Sequence, residues 1–376
     1  MSVATTIGEL REWLRFRKVK RYFLVADQTA FHASGVAAAF DEQLPTMAAG
    51  VFDGFDPNPK WEDAVRGARR LVGCQWDAMV AVGGGTAIDL AKLMRCLVRH
   101  DNTVSEGFED VQAIEPSCLV SGPDPRPFVA IPTTAGSGSH ATHFAVVYKD
   151  KVKYSVTHKR LLPELSVLDW QFTVSMPRTV TAATGLDALC QAVEAIWSVN
   201  ATRQSTDWAS LALRLANEHL VAAVQRPTPA ARQAMLEASD LAGRAINVTR
   251  TTAPHALSYA LTSDYGIPHG FAVAVFLPKF LIFNAEVTDD DCAHPAGVGG
   301  VRKAIAEIVR CLGANTVAEA AERLHDIIQA VGGYTDLQSC SVGLPSIDAL
   351  LRRANPDRMQ NNPRRVTTAG ENGAPQ

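Results

Sequence analysis

The chain has 376 residues, 47% hydrophobic and 20% charged, with a formal net charge of −3 at pH 7. That length and composition suit a globular protein of two domains, and the charge gives no electrostatic case for nucleic acid or an anionic membrane. No apolar run reaches transmembrane length, residues 1–6 lack the features of a signal peptide, and 7 dispersed cysteines without a Cys-x-x-Cys pair suggest free thiols in a cytoplasmic protein.

Residues 7–18 place Ile7, Leu10, Trp13 and Leu14 at helical spacing and predict a helix. Residues 21–27 are a short apolar run ending in Asp27, the pattern of a buried parallel strand. A helix over 29–43, a strand near 46–52 and a helix over 60–73 follow. Residues 77–82 predict another buried strand, which runs into Gly83-Gly84-Gly85-Thr86 and a helix over 87–99. Strands alternate with helices, so an open, mostly parallel α/β sheet is expected. Residues 101–126, rich in acids, prolines and glycines, predict a long connection with at most one short helix. Strand 128–131 ends in Pro132-Thr133-Thr134-Ala135-Gly136-Ser137-Gly138-Ser139, and short strands are expected at 144–148 and 165–168.

After Pro177 the β-branched runs disappear and alanine rises. Helices are predicted over 180–198, 203–225, 228–247, 254–263, 269–285, 301–312 and 316–331. The expected domains are therefore 1–177, α/β, and 178–376, helical. Residues 355–376 are polar, and their end is expected to be mobile.

Gly83-Gly84-Gly85-Thr86 lies between a strand and a helix. Glycines let the backbone approach a phosphate, and a helix start supplies free N–H groups that Thr86 can help to cap. Without Gly-Lys-Ser/Thr, a nucleotide-hydrolysing loop is disfavoured. A tight turn without ligand is the alternative. The loop of Thr133, Thr134 and Ser137 ends a second strand. Two such loops at strand carboxyl ends favour a dinucleotide. Asp27 is placed to accept hydrogen bonds from a ribose and to repel a 2′-phosphate, which favours NADH and leaves NADPH open. A solvated acid at a strand end is the plain alternative.

His255 and His269 are 14 residues apart, and each follows a proline, Pro254 and Pro268. Both prolines sit where helices can start. Asp187 and Gln191, four apart, share one helix face. Together the four offer two nitrogen and two oxygen ligands for a divalent first-row metal. Capping or core histidines are the alternative on spacing alone. Cys190, beside Gln191, reads as a packing residue.

These motifs fall in one order. Gly83-Gly84-Gly85-Thr86-Ala87-Ile88-Asp89-Leu90-Ala91-Lys92, the 132–139 loop, Gly185-Leu186-Asp187-Ala188-Leu189 and the histidine pair resemble the iron-containing (group III) alcohol dehydrogenases over about residues 20–365. The resemblance implies an α/β N-terminal dinucleotide-binding domain plus an all-α C-terminal domain, the dehydroquinate synthase-like fold. It also implies NAD(H) or NADP(H), a metal held by Asp187, Gln191, His255 and His269, a cofactor contact at Lys153, and a homodimer. The metal is Fe²⁺ or Zn²⁺; the ligand set does not decide.

A narrower resemblance is to the phosphonoacetaldehyde reductase branch. It is carried by Lys153-Tyr154-Ser155, Trp197-Ser198-Val199-Asn200-Ala201-Thr202, the Arg250 to Tyr259 stretch with Leu261-Thr262-Ser263, and Asn361-Asn362-Pro363-Arg364-Arg365. It implies reduction of a phosphonate aldehyde in phosphonate antibiotic biosynthesis. The departures are Gln191 and Tyr259 where relatives carry histidine, His140 where they carry glutamate, and Phe271 where many carry a small or polar residue.

In such chemistry the metal polarises the aldehyde and the nicotinamide delivers hydride. Tyr259 is expected to contact substrate; as a base it would need a large downward shift from about 10. Arg250 is expected to grip the phosphonate, with a surface salt bridge as the alternative, while Arg244 is less suited. Asp89 and Lys92 are expected to be structural. Competing functions are a dehydrogenase of another small aldehyde or alcohol, a metal-less non-catalytic nucleotide-binding protein, and a cyclase or lyase of related fold.

Overall fold

Strands β2 (Tyr22–Ala26) and β4 (Ala78–Gly83) are buried along their whole length, and their alternating side chains feed two separate cores. Phe23, Val25, Met79 and Ala81 enter one core; Tyr22, Leu24, Val80 and Val82 enter the other. This is the period-2 alternation of a sheet covered on both faces. The computed structural model describes residues 1–44, 47–98, 103, 124–150, 152–340, 343, 346–354 and 356–366. They belong to two compact units, Met1–Met176 and Pro177–Gln376.

In the first unit, β1 (Ser2–Ala4), β3 (Ala48–Phe52), β5 (Phe128–Pro132) and β8 (Leu165–Val167) join β2 and β4 in a six-stranded sheet. The order is β1-β8-β5-β4-β2-β3, and every pairing is parallel. Strands β6 (Phe144–Lys149) and β7 (Val152–Thr157) form a separate antiparallel pair. Helices α1 (Ile7–Phe16) and α4 (Trp61–Val72) match their expected spans closely.

Three expectations for this unit change. Residues 29–43 hold two helices, α2 (Gln28–Ala33) and α3 (Val36–Gln43), because Gly35 takes a left-handed φ of 84° and breaks the run. Ser2–Ala4 is a strand, too short for any sequence pattern and fixed by its pairing with β8. Helix α5 (Gly85–Leu97) starts two residues before the expected 87. The expected connection over 101–126 lies mostly outside the described residues.

The second unit centres on α6 (Arg178–Trp197), which is buried on nearly every side. A helix apolar all round belongs inside a bundle. It packs against α7 (Arg203–Gln225), α8 (Pro229–Thr249) and α10 (His269–Ala274). Where α10 crosses, a side chain at Gly270 would overlap the backbone of Ala183 and Asp187. Helix α9 (Ala253–Tyr265) ends at Gly266, again left-handed at φ 67°. The expected helix over 269–285 is two, α10 and α11 (Leu277–Ala285), because Pro278 has no N–H to continue the ladder. Helices α12 (Gly297–Cys311), α13 (Val317–Ala330), α14 (Ile347–Leu351) and α15 (Pro356–Gln360) complete the described chain.

The last two helices escape the sequence pattern because each is only 5 residues long. Residues 356–366 are also anchored rather than loose. Asn362 pairs with Asn284, Nδ2 to Oδ1 2.8 Å, and Arg364 donates to Asp291 Oδ2 at 2.7 Å. The tail from 367 onward lies outside the described residues.

Candidate metal centre and cofactor loops

The carboxyl ends of β2, β4 and β5, three adjacent parallel strands, bring Asp27, Gly83 and Thr133 to one edge of the first unit. Gly83 has φ 147°, and a side chain there would press on Ala87 and Asp27 at 2.8 and 3.2 Å. Gly85 lies against Ser137, and Gly84 against Thr134. Thr133 N donates to Gly83 O at 3.0 Å. The two loops read from sequence are therefore one continuous rim. The N-terminus of α5 opens onto it, and Gly84 makes no side-chain cap, as a phosphate cradle requires.

One role is revised, and a second residue has a further task. Thr86 does not cap α5; it is the second helical residue, and its Oγ1 accepts from Asn58 N at 3.1 Å. Asp27 caps α2, its Oδ1 accepting from Ala30 N at 2.9 Å, so one carboxylate oxygen is already engaged. Lys153 sits on β7 opposite Tyr148 and within electrostatic reach of Asp89.

Asp89 and Lys92 are structural. Lys92 Nζ is fully buried and donates to the carbonyl oxygens of Ser139, Thr142 and Phe144 at 2.7, 2.9 and 2.7 Å. Asp89 accepts from Ser139 Oγ and from Val146 N. Burial raises the Asp89 carboxyl and lowers Lys92 to about 8, each partly offset by the other's charge. The pair holds the 139–146 segment; His140, within it, is buried and accepts from Ser166 Oγ through its carbonyl.

In the second unit, ligand atoms of Asp187, His255 and His269 all lie within 4.8 Å of one another. The prolines explain the placement. Pro254 occupies the first turn of α9 and Pro268 precedes α10, so each histidine stands at a helix start. The imidazole centroids are 5.4 Å apart at 76°. Gln191 is buried one turn beyond Asp187 on α6.

Glu194 was not singled out from sequence, although it lies at the next step of the same face (187, 191, 194). It is fully buried and accepts three hydrogen bonds: Thr252 N at 2.6 Å, Thr252 Oγ1 at 2.8 Å and His255 Nδ1 at 2.5 Å. Trp197 Nε1 donates to Thr252 Oγ1 at 2.9 Å and fixes that hydroxyl. A carboxylate only accepts, so His255 carries its proton on Nδ1 and turns Nε2 towards Asp187 Oδ1, 3.3 Å away.

Two electron-rich atoms at that separation call for a positive charge. Burial pushes the His255 imidazolium down, but Glu194 and Asp187 outweigh it and raise the pKa to about 9. The donor set, a buried carboxylate, one buried imidazole and one half-buried imidazole, fits a divalent first-row cation. Burial holds the Cys190 thiol well above its ordinary range, as suits a packing residue.

Tyr259 lies beside the centre, its ring 6.1 Å from that of His269 and tilted 31°. Burial raises its hydroxyl, and the charge of Arg358 offsets this in part. Arg250 closes α8 with φ 61°. Arg244, on α8, is bound to Asp240 at 2.7 Å instead. Phe271 packs edge-on against Tyr334, centroids 5.9 Å apart.

Residues 3–170 match the model of the iron-containing alcohol dehydrogenases, and residues 181–370 match that family's C-terminal model. The chain belongs to the iron-containing alcohol dehydrogenases. It is an NAD(P)-dependent alcohol dehydrogenase or aldehyde reductase of that family. It is 36% identical over 326 residues to phosphonoacetaldehyde reductase of Streptomyces viridochromogenes, covering 86% of this chain and 80% of that one. It is 38% identical over 231 residues to long-chain-alcohol dehydrogenase 1 of Geobacillus thermodenitrificans, covering 61% of this chain and 57% of that one. The crystal structure of sulfoacetaldehyde reductase from Bifidobacterium kashiwanohense in complex with NAD+ superposes with a TM-score of 0.82 at 27% identity, covering 98% of this chain and 94% of that chain. No helix among the described residues is long and apolar enough to cross a membrane.

Proposed function

We propose that this enzyme reduces phosphonoacetaldehyde to 2-hydroxyethylphosphonate with NADH or NADPH, using a metal held by Asp187, Gln191, His255 and His269. The observation that carries this reading is the meeting of three ligand atoms within 4.8 Å beside Tyr259, in the unit that also holds Arg250. Two relatives support the substrate class. Their names specify two-carbon aldehydes bearing a tetrahedral oxyanion, phosphonate in one and sulfonate in the other.

The reaction adds a hydride to the carbonyl carbon and a proton to its oxygen. When bound, the divalent metal supplies Lewis acidity at the aldehyde oxygen and the nicotinamide supplies the hydride. Glu194 keeps the His255 proton on Nδ1, so that Nε2 faces the centre. Tyr259 contacts the substrate with its hydroxyl. Arg250 offers a planar pair of donors to the phosphonate. The glycine rim and α5 N-terminus receive the cofactor's pyrophosphate, and Asp27 faces the adenosine ribose.

The test is oxidation of NADH and NADPH with phosphonoacetaldehyde and with propanal, each with Fe²⁺, with Zn²⁺ and after chelation. Metal-dependent turnover that favours phosphonoacetaldehyde is expected. Turnover of propanal alone discards the substrate and keeps the family. Equal turnover after chelation discards the metal centre.

A further inference from the structure

Two stretches of the sequence, Ser198-Val199-Asn200 and Asn361 to Arg365, take no part in the proposed reaction, yet both reach the start of α9. Helix α9 carries His255 in its first turn, and its N-cap residue, Thr252, makes no side-chain cap. The Thr252 hydroxyl is turned instead to Glu194 Oε2 and Trp197 Nε1. A helix start without its own cap needs partners from elsewhere, so the place of His255 depends on what holds residues 249–252.

Those residues are held from two sides. Thr249 O accepts from Ser198 Oγ at 3.0 Å, and Thr251 O accepts from Asn361 Nδ2 at 3.0 Å. Asn361 is itself tied to the first stretch: its Oδ1 accepts from Asn200 Nδ2 at 2.9 Å, and its backbone O accepts from Val199 N at 3.1 Å. A carbonyl only accepts, so the Asn361 amide turns its nitrogen to Thr251 and its oxygen to Asn200. The residues that follow are locked in turn, Asn362 on Asn284 and Arg364 on Asp291, so Asn361 is not the end of a loose tail. Thr251 C=O and Thr252 N–H belong to one planar peptide group. Asn361 holds its oxygen, and Glu194 Oε2 accepts from its nitrogen at 2.6 Å. The other Glu194 oxygen accepts from His255 Nδ1. The bonds thus form one chain, Asn361 to peptide to Glu194 to His255, in which each link polarises the next. Rotating that peptide breaks two links at once.

We infer that Asn361 is a positioning residue for the metal centre: by orienting the Thr251–Thr252 peptide it keeps Glu194 on His255, and so keeps His255 Nε2 at the point it shares with Asp187 and His269. The inference rests on the metal centre proposed above and adds a residue that lies 110 positions along the chain from the carbonyl it holds. Asn361→Asp is the sharpest probe. It conserves size and keeps an acceptor for Asn200, but it sets a carboxylate oxygen against Thr251 O, where two acceptors repel.

The test compares wild type, Asn361→Asp, Glu194→Gln, the double variant and, as a control for stability alone, Glu307→Gln. One readout is Zn²⁺ affinity of the full chain by competition with a chromophoric chelator. The other is the visible absorption of the Co²⁺-loaded protein, which reports the geometry of the ligands. Asn361→Asp is expected to weaken Zn²⁺ binding about tenfold, the low end of the range for losing a support of a ligand histidine, and to shift the Co²⁺ bands. It should add little in the Glu194→Gln background, because both residues act through one chain of bonds. Glu307→Gln should move neither readout. Wild-type affinity and spectrum in Asn361→Asp overturn the inference and leave the metal centre standing. Full additivity with Glu194→Gln, or an equal loss in Glu307→Gln, overturns it as well, since the effect then does not pass through Glu194. A wild-type chain that binds no Zn²⁺ overturns the metal centre and this inference together. If Asn361→Asp does not fold, Asn200→Ala decides: it frees the Asn361 amide to turn and is expected to weaken Zn²⁺ binding less but in the same direction, and unchanged affinity there overturns the inference.

Discussion

Glu194 Oε1 lies 2.5 Å from Nδ1 of His255, and the same carboxylate caps the helix that carries this histidine through Thr252 N. One buried acid therefore sets both the tautomer of a candidate ligand and the start of its helix. Replacing Glu194 by glutamine is expected to lower Zn²⁺ or Fe²⁺ affinity about 10–100-fold, the usual cost of losing such a support. Competition titration against a chromophoric chelator measures this. Glu194→Ala should in addition destabilise the metal-free protein, because it leaves buried donors without an acceptor. Unchanged affinity in both variants would show that Asp187 and His269 orient the site without it.

Gln191 is the weakest member of the proposed ligand set, since an amide oxygen binds these metals less well than imidazole. Gln191→His is expected to raise metal affinity, on the order of tenfold. Gln191→Leu is expected to lower it. Metal content after dialysis reads both. A leucine variant that retains metal as wild type does would remove Gln191 from the set.

Gly270 sits where α10 meets α6, with no room for a side chain against the Ala183 and Asp187 backbone. Gly270→Ala is expected to cost about 1–3 kcal/mol of stability, the range of core overpacking. It should also weaken metal binding, because the clash lies next to His269 and displaces Asp187. Thermal unfolding and metal titration on the same sample would separate the effects. Wild-type values in both would mean that the two helices part without cost.

Asp27 combines a helix cap with a position at the cofactor rim. Asp27→Ser keeps a cap on Ala30 N and removes the charge. The ratio of kcat/KM for NADPH to that for NADH is expected to rise, on the order of tenfold, as repulsion of a 2′-phosphate is lost. Asp27→Ala should cost about 1 kcal/mol in stability through the lost cap. A ratio that does not move would leave Asp27 as a cap alone.

Glu307 predicts an acid-dependent term far from the site. Hydrogen bonds from Arg310, above all, then from Ser210 and Cys311 hold its carboxyl down at about 2 against an ordinary 4.5. A depressed carboxylate stabilises the fold above its unfolded pKa, and that contribution is lost as pH falls from 4.5 towards 2. Arg310 is largely exposed, its side chain at 63%, so screening reduces the contribution to about 1–2 kcal/mol. Urea unfolding of wild type and Glu307→Gln should differ above pH 4.5 and converge below it. Parallel curves across the range would rule this linkage out.

The legible parts of the chain were those with local causes. Short continuous apolar runs marked the parallel strands at Tyr22–Ala26, Ala78–Gly83 and Phe128–Pro132, because a strand buried on both faces must be apolar throughout. Prolines before His255 and His269 marked helix starts, because a missing N–H is tolerated there. The four-residue step from Asp187 to Gln191 marked one helix face.

What the sequence alone determined was therefore the order of elements, the family and the candidate ligands. Only the tertiary structure decided which side chains share a point in space. It made Glu194 the support of His255, turned Thr86 from a helix cap to a partner of Asn58, and brought Asn361 to Thr251 across 110 residues of chain. It also made a strand of Ser2–Ala4 and anchored helices of Ile347–Leu351 and Pro356–Gln360. Such short elements gain too little from local hydrogen bonds to offset the entropy of ordering them. Contacts with distant parts of the chain hold them, and no local pattern records those contacts.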